Sequence, residues 1–269
     1  MIRRPAVAGH FYPADPESLR RELDRMTGGL RPPDSPRGVA LMVPHAGYIY
    51  SGRVAAAAYT SVGLASRVVI LGPNHTGAGE AIAVMNEGAW RLPLGDAPID
   101  EELACAILAR CRAARVDEAA HLREHSLEVQ VPFLQHLRPG LRFVPICVGT
   151  QHLPLLLDLG RAVAEATRDL GAEILVVIST DMSHYVPQAV AEREDRKAID
   201  RVLALEPEGL HRIVLQEGIS MCGIAPAVAG LEAARCLGAR SARLIAYATS
   251  GERSGDYQAV VGYAGVAVT

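Results

Sequence analysis

Residues 174–179 read I-L-V-V-I-S, the most hydrophobic short run of the chain, and lead straight into T-D-M-S-H-Y at 180–185. An unbroken apolar run of this length fits a strand covered on both faces, as in parallel sheets. Outward from it, further β-type runs occupy 39–43, 67–71 (R-V-V-I-L), 81–85 and 142–148, with two closing ones near 243–248 and 258–268. Helical patterns separate them at 53–62, 100–111, 127–137, 153–170, 188–205, 207–216 and 226–237. This alternation predicts an α/β fold, a single domain with a central, mostly parallel sheet sandwiched between helices. Asp100 stands where a helix N-cap belongs, and Pro132 limits the regularity of its segment. Pro32, Pro33 and Pro36 form the Pro-rich patch of the chain, so residues 1–38 read as an N-terminal arm packed on a domain spanning 1–269.

The composition narrows the function. Hydrophobic residues at 49% and charged residues at 21% exclude the signature of disorder. Lys plus Arg number 27 against 30 Asp plus Glu, and aromatics make up 4%, so neither a basic field nor a base-stacking platform for nucleic acid is expected. Cys105, Cys111, Cys147, Cys222 and Cys236 are scattered and contain no C-x-x-C, which points to a reducing compartment. Arg3 and Arg4 are followed by no apolar leader, and no stretch reaches the ~18 apolar residues of a spanning helix, so a cytoplasmic protein without a membrane partner is expected. The absence of G-x-G-x-x-G, G-x-x-x-x-G-K-[ST], G-x-S-x-G and H-E-x-x-H argues against a dinucleotide fold, a P-loop, an α/β-hydrolase and a zincin.

Open α/β sheets place their ligands at the carboxyl ends of the strands. Three histidines follow strand candidates: His45 in V-P-H-A-G-Y, His75 in G-P-N-H-T-G, and His184 in S-T-D-M-S-H-Y. Strands of one direction would gather them at one edge; the plain alternative is that each bonds locally in its own loop. Pro44, Gly47, Gly72, Pro73 and Gly77 suit tight turns and close backbone approach to a bound group. Asp181 stands three residues before His184, either to orient an imidazole or to cap the segment after the strand. Cys222, in G-I-S-M-C-G-I-A-P ahead of a helix, is either a thiolate ligand or a small buried hydrophobe. Cys105, Cys147 and Cys236 read as core, and Cys111 receives no assignment. Glu124, His125, Ser126 and Glu128 form a further polar cluster, either supporting a site from behind or starting a helix capped by Ser126. His10, His121, His136, His152 and His211 read as surface or packing residues. Two imidazoles and a thiolate suit iron, copper or zinc with open positions for substrate, and leave His184 free as acid or base.

These residues carry a resemblance. P-A-V-A-G-H-F-Y-P at 5–13, V-P-H-A-G-Y-I-Y-S-G at 43–52, L-G-P-N-H at 71–75 and E-H-S-L-E-V-Q-V-P-F-L at 124–134 are followed by S-T-D-M-S-H-Y at 179–185, M-C-G at 221–223, and T-S-G-E-R-S-G-D-Y with V-V-G-Y-A-G towards residue 269. In this order the motifs resemble the Memo family, whose bacterial and archaeal members are called AmmeMemoRadiSam system protein B. The resemblance implies a fold similar to the catalytic subunits of class III extradiol dioxygenases, non-heme iron enzymes. It implies His45, His75 and Cys222 as metal ligands, with His184 at the acid/base position and Asp181 beside it. It implies Fe(II), with Cu or Zn as alternatives, and a metal-dependent oxidoreductase acting on a small molecule or peptide. The second reading is a metal-binding or peptide-binding partner protein without turnover. Those dioxygenases use a carboxylate where Memo proteins have the cysteine, so the thiol sets this pocket apart from ordinary ring cleavage. The family name also implies AMMECR-type and radical S-adenosylmethionine proteins as partners.

Overall fold

The computed structural model describes residues 1–35 and 37–269; Pro36, part of the Pro-rich patch, lies outside the described residues. β1 (Ile2–Arg3) and α1 (Pro16–Thr27) precede β2 (Ala40–Val43), α2 (Tyr48–Tyr59) and β3 (Arg67–Pro73). Next come β4 (Ile82–Val84), β5 (Ala89–Leu92), β6 (Gly95–Pro98), α3 (Glu101–Arg110) and β7 (Arg115–Val116). A short 3-10 turn at Glu128–Gln130 runs into α4 (Val131–Leu137), β8 (Arg142–Val148), α5 (Leu153–Asp169), β9 (Ile174–Ser179) and β10 (His184–Val186). The remainder is helical up to a last hairpin: α6 (Gln188–Leu203), α7 (Pro207–Glu217), α8 (Ile224–Cys236), β11 (Ala242–Thr249), α9 (Gly251–Ser254) and β12 (Val260–Val268).

Nine of the described strands form one sheet, and its centre is four parallel neighbours in the order β2, β9, β3, β8. Every residue of β2, and every residue of β9, is buried, as the unbroken apolar runs require. The sheet is mixed, because β12 pairs antiparallel with β2 and with β11, and β4 pairs antiparallel with β8. Only some ten residues join β11 to β12, enough for a hairpin connection and too few for a parallel crossover. Side chains alternate between two cores. Leu41, Val43, Val68, Ile70, Leu175 and Val177 meet the side of α1, α2 and α4, while Met42, Val69, Leu71, Val176 and Ile178 meet α5 and α8. α5 and α8 approach so closely that a Cβ on Gly160 would lie 2.5 Å from the Ala229 carbonyl oxygen.

Asp100 caps α3 by accepting the Leu103 N–H, and it also receives both Nε and Nη2 of Arg67 at 2.6 and 2.7 Å. α2 starts five residues earlier than the sequence pattern indicates, and the arm contains α1, capped by Asp15 and closed by Gly28 in the left-handed region. A second sheet of β1, β5 and β6 ties the start of the arm to the body. Among the described residues no helix is long and apolar enough to cross a membrane.

Candidate metal centre

β9 lies between β2 and β3, and all three run the same way, so the residues after Val43, Pro73 and Ser179 emerge side by side at one edge. His45 follows β2 and is buried. Its Nδ1 lies 2.9 Å from the Ser179 hydroxyl, which donates its own proton to the Ser126 carbonyl at 2.6 Å. That hydroxyl therefore accepts from His45, which fixes the proton on Nδ1 and leaves Nε2 as a free lone pair. His75 follows β3, and the same logic holds. Its Nδ1 donates to Glu124 Oε1 at 2.8 Å and its backbone N–H to Oε2 at 2.6 Å, so its Nε2 is free as well.

His125 completes a group that strand-end reasoning did not find. Its ring stacks on His75 with centroids 4.5 Å apart and stands edge-on to His45 at 5.4 Å. One ligating nitrogen from each of His45, His75 and His125 lies within 4.8 Å of the others. The signal was the E-H-S-L-E cluster itself, which sits on no strand and so lacked a positional argument. Ser126 caps no helix, contrary to one expectation; its hydroxyl donates to the Pro73 carbonyl, and Glu124 supports His75 from behind.

Cys222 arrives from the turn before α8 with its Sγ 3.2 Å from His45 Nε2, and it accepts the Asp181 N–H at 3.3 Å. Gly223 makes this possible, since a Cβ there would fall 2.3 Å from the Thr180 Cβ. Asp181 neither caps a helix nor bonds His184. Its Oδ1 accepts the His45 backbone N–H at 2.7 Å. His184 instead donates from Nδ1 towards the Met182 and Ser220 carbonyls at 2.8 and 2.9 Å, which leaves its Nε2 clear of both. A cavity of about 440 Å³ opens over this edge, lined by His125, Asp181 and His184 together with Phe11, Tyr50, Tyr185 and Tyr263. Tyr185 holds a φ of 56° while 78% exposed, a conformation that costs a non-glycine residue on the order of 1 kcal/mol or more. Nothing in its sequence context announces that strain.

Burial, reinforced by the neighbouring imidazoles, holds His45 well below the usual histidine range, and burial lowers His125 too. Both are therefore neutral, the form that binds metal. Burial tends to raise Glu124, but the His75 contact and the Ser126 and His75 N–H groups prevail and hold it at about 2. Burial lifts Asp181 to about 6 and, with Asp181 beside it, pushes the Cys222 thiol up strongly. Elsewhere, Cys105 is exposed, contrary to its reading as core, because it lies on the solvent side of α3; Cys111 and Cys147 are buried. His121 is fully buried against Trp90.

A family profile described as "Memo-like protein" matches residues 3–267. A MEMO1 family protein of Methanopyrus kandleri is 44% identical over 278 residues, covering 99% of this chain and 98% of its own. One from Methanothermobacter thermautotrophicus is 45% identical over 274 residues, covering 98% and 99%, and one from Aquifex aeolicus is 44% identical over 266 residues, covering 98% of each. With the profile and these relatives matching nearly end to end, and the motif histidines gathered at one sheet edge, the chain belongs to the Memo-like protein family.

Proposed function

We propose that this chain binds a transition metal, Fe(II) first and Cu or Zn as alternatives, in a pocket of non-heme-iron type, and acts as a metal-dependent oxidoreductase. The observation that carries the reading is the pair His45 and His75. Each donates from Nδ1, which keeps Nε2 as the lone-pair nitrogen, and the two converge beside a third imidazole and a thiol whose Sγ meets His45 Nε2 at 3.2 Å. The donor set fits the metal. Neutral imidazoles and sulfur favour iron, copper and zinc, whereas magnesium and calcium demand oxygen-rich shells. Cys222 and His45 can share one ion: donors at ~2.3 and ~2.1 Å from it stand about 3.1 to 3.6 Å apart for angles from square to tetrahedral, which spans their contact. A positive ion is also what would release the proton from a thiol that burial otherwise protects.

A bound iron would supply the electron transfer that none of these side chains supplies. The chain's own part is to seat the substrate among Phe11, Tyr50, Tyr185 and Tyr263, to exclude water there, and to accept or return a proton at His184 Nε2. Asp181 keeps the His45 backbone in place. The proposal includes the cytoplasm as its setting and AMMECR-type and radical S-adenosylmethionine proteins as pathway partners. The exposed Tyr50 and Tyr185 at the cavity rim support the second reading, a peptide-binding partner without turnover.

Metal titrations test the site. The double variant His45→Ala, His75→Ala is expected to lose Fe(II) and Zn(II) altogether, with Cys222→Ser and His125→Ala each weakening binding; wild-type affinity in the double variant would refute the assignment. His184→Ala is expected to keep the metal and to lose any substrate-dependent oxygen uptake by about 10² to 10⁴. Metal retention with no oxygen uptake by wild type under any tested substrate favours the partner reading.

A further inference from the structure

The arm does more than cover the core. Arg3 is fully buried and spreads its guanidinium over four acceptors: Nε donates to the His121 carbonyl at 2.7 Å, Nη1 to Glu128 Oε2 at 2.6 Å and the Arg4 carbonyl at 3.3 Å, and Nη2 to the Glu124 carbonyl at 2.9 Å. Its face lies 4.0 Å from the Trp90 ring. Glu128 gathers the next stretch of the arm, 6–12, by accepting the Ala6 and Val7 N–H groups and the Tyr12 hydroxyl. The same residue that Arg3 holds by its carbonyl, Glu124, holds His75 by its carboxylate. A second contact reaches the neighbouring imidazole, for the Phe11 ring lies 4.9 Å from His125. A fully buried ion pair adds little net stability over an apolar substitute, since desolvation consumes most of its attraction. Its consequence is geometric, because it permits one register of the arm.

We infer that the N-terminal arm is a clasp for the metal centre, in which Arg3 is a positioning residue for His75, acting through Glu124, and Phe11 is one for His125. The inference rests on the metal-binding reading for its function and on the hydrogen-bond chain for its mechanism. Docked, the arm fixes the tautomer and direction of His75. Undocked, Glu124 loses the Arg3 contact at its carbonyl and, kept by the Ser126 and His75 N–H groups alone, directs the His75 ring less firmly.

The test is Arg3→Lys, which keeps a cation for Glu128 but offers one nitrogen where four acceptors wait. Co(II) titration of Arg3→Lys is expected to show affinity lower by about 10- to 100-fold, the usual effect of losing support behind a metal ligand. In a His75→Ala background the same substitution is expected to change nothing further, because its route to the metal is gone. Wild-type affinity in Arg3→Lys, or an equal loss in both backgrounds, overturns the inference, the latter showing a merely structural role. If Arg3→Lys does not fold, Phe11→Leu read with and without His125→Ala applies the same cycle to the other contact. If wild-type protein takes up no Co(II), the metal reading fails, and the clasp is judged by the nitrogen-15 shifts of the His75 ring. A single Nδ1–H tautomer in wild type that becomes a mixture in Arg3→Lys supports it, and an unchanged tautomer overturns it.

Discussion

A histidine held neutral by burial makes a protein sensitive to acid, and His121 is the cleanest instance because it lies outside the metal group. Burial, with Arg3 nearby, holds it at about 4. The unfolded chain takes up a proton near pH 6.5 and the folded chain does not, so stability is lost as pH falls from about 6.5 towards 4, by roughly 3 kcal/mol at the limit. Asp181 carries the opposite sign. Its folded carboxyl keeps a proton up to about 6 while the unfolded one releases it near 4, so this group alone favours the fold more as pH falls through that window. Urea melts at pH 7 and pH 5 are expected to show a shallower acid loss in His121→Phe and a steeper one in Asp181→Asn; parallel changes in both variants and wild type would contradict the assignment. At this scale the sequence exposed His45, His75 and His184 because each follows an apolar strand, where position itself is an argument. It hid His125, which follows no strand, and the role of Asp181, whose partner is 136 positions away.

Two elements are held by contacts that single substitutions can remove. Asp100 joins the start of α3 to β3 through the Arg67 fork, at the edge of the sheet opposite the histidines. Asp100→Ala is expected to lower stability by about 1–3 kcal/mol while leaving metal affinity unchanged, read by urea denaturation and Co(II) titration side by side. Gly160→Ala is expected to cost a similar ~1–3 kcal/mol, because the backbone of α8 cannot yield as a side chain would; a melt at the wild-type midpoint would show that the helices separate without penalty. β8 and β9 match their sequence readings residue for residue, β9 as an almost unbroken apolar run and β8 although Arg142 opens it and Pro145 stands inside it, because its other residues are apolar and buried. α1 escaped notice because only Leu19, Leu23 and Thr27 of its twelve residues are buried, and the β5–β6 hairpin because its strands are four residues each.

Across the molecule, the α/β layering was legible and the direction of the outer strands was not. Alternation of strand and helix predicts parallel neighbours, and it holds where helices intervene, at β2, β9, β3 and β8. It fails at β11 and β12, which a short connection joins, and on the flanks of the parallel centre, where β12 meets β2 and β4 meets β8 antiparallel although helices intervene in the chain. The candidate centre draws on residues from 45 to 222; His45 and His75 were legible where an apolar run meets the sheet edge, and Cys222 from its glycine-rich turn ahead of α8. The placement of β12 beside β2 has a consequence for how the protein is made. Val268 pairs with Ala40 across roughly 230 residues, so at the ~5–20 residues per second of synthesis, the strand that leads into His45 waits about 10 to 45 seconds for its neighbour. On the ribosome, β2 is an open edge for that whole interval, and a nascent chain stalled anywhere before residue 260 presents that edge to chaperones.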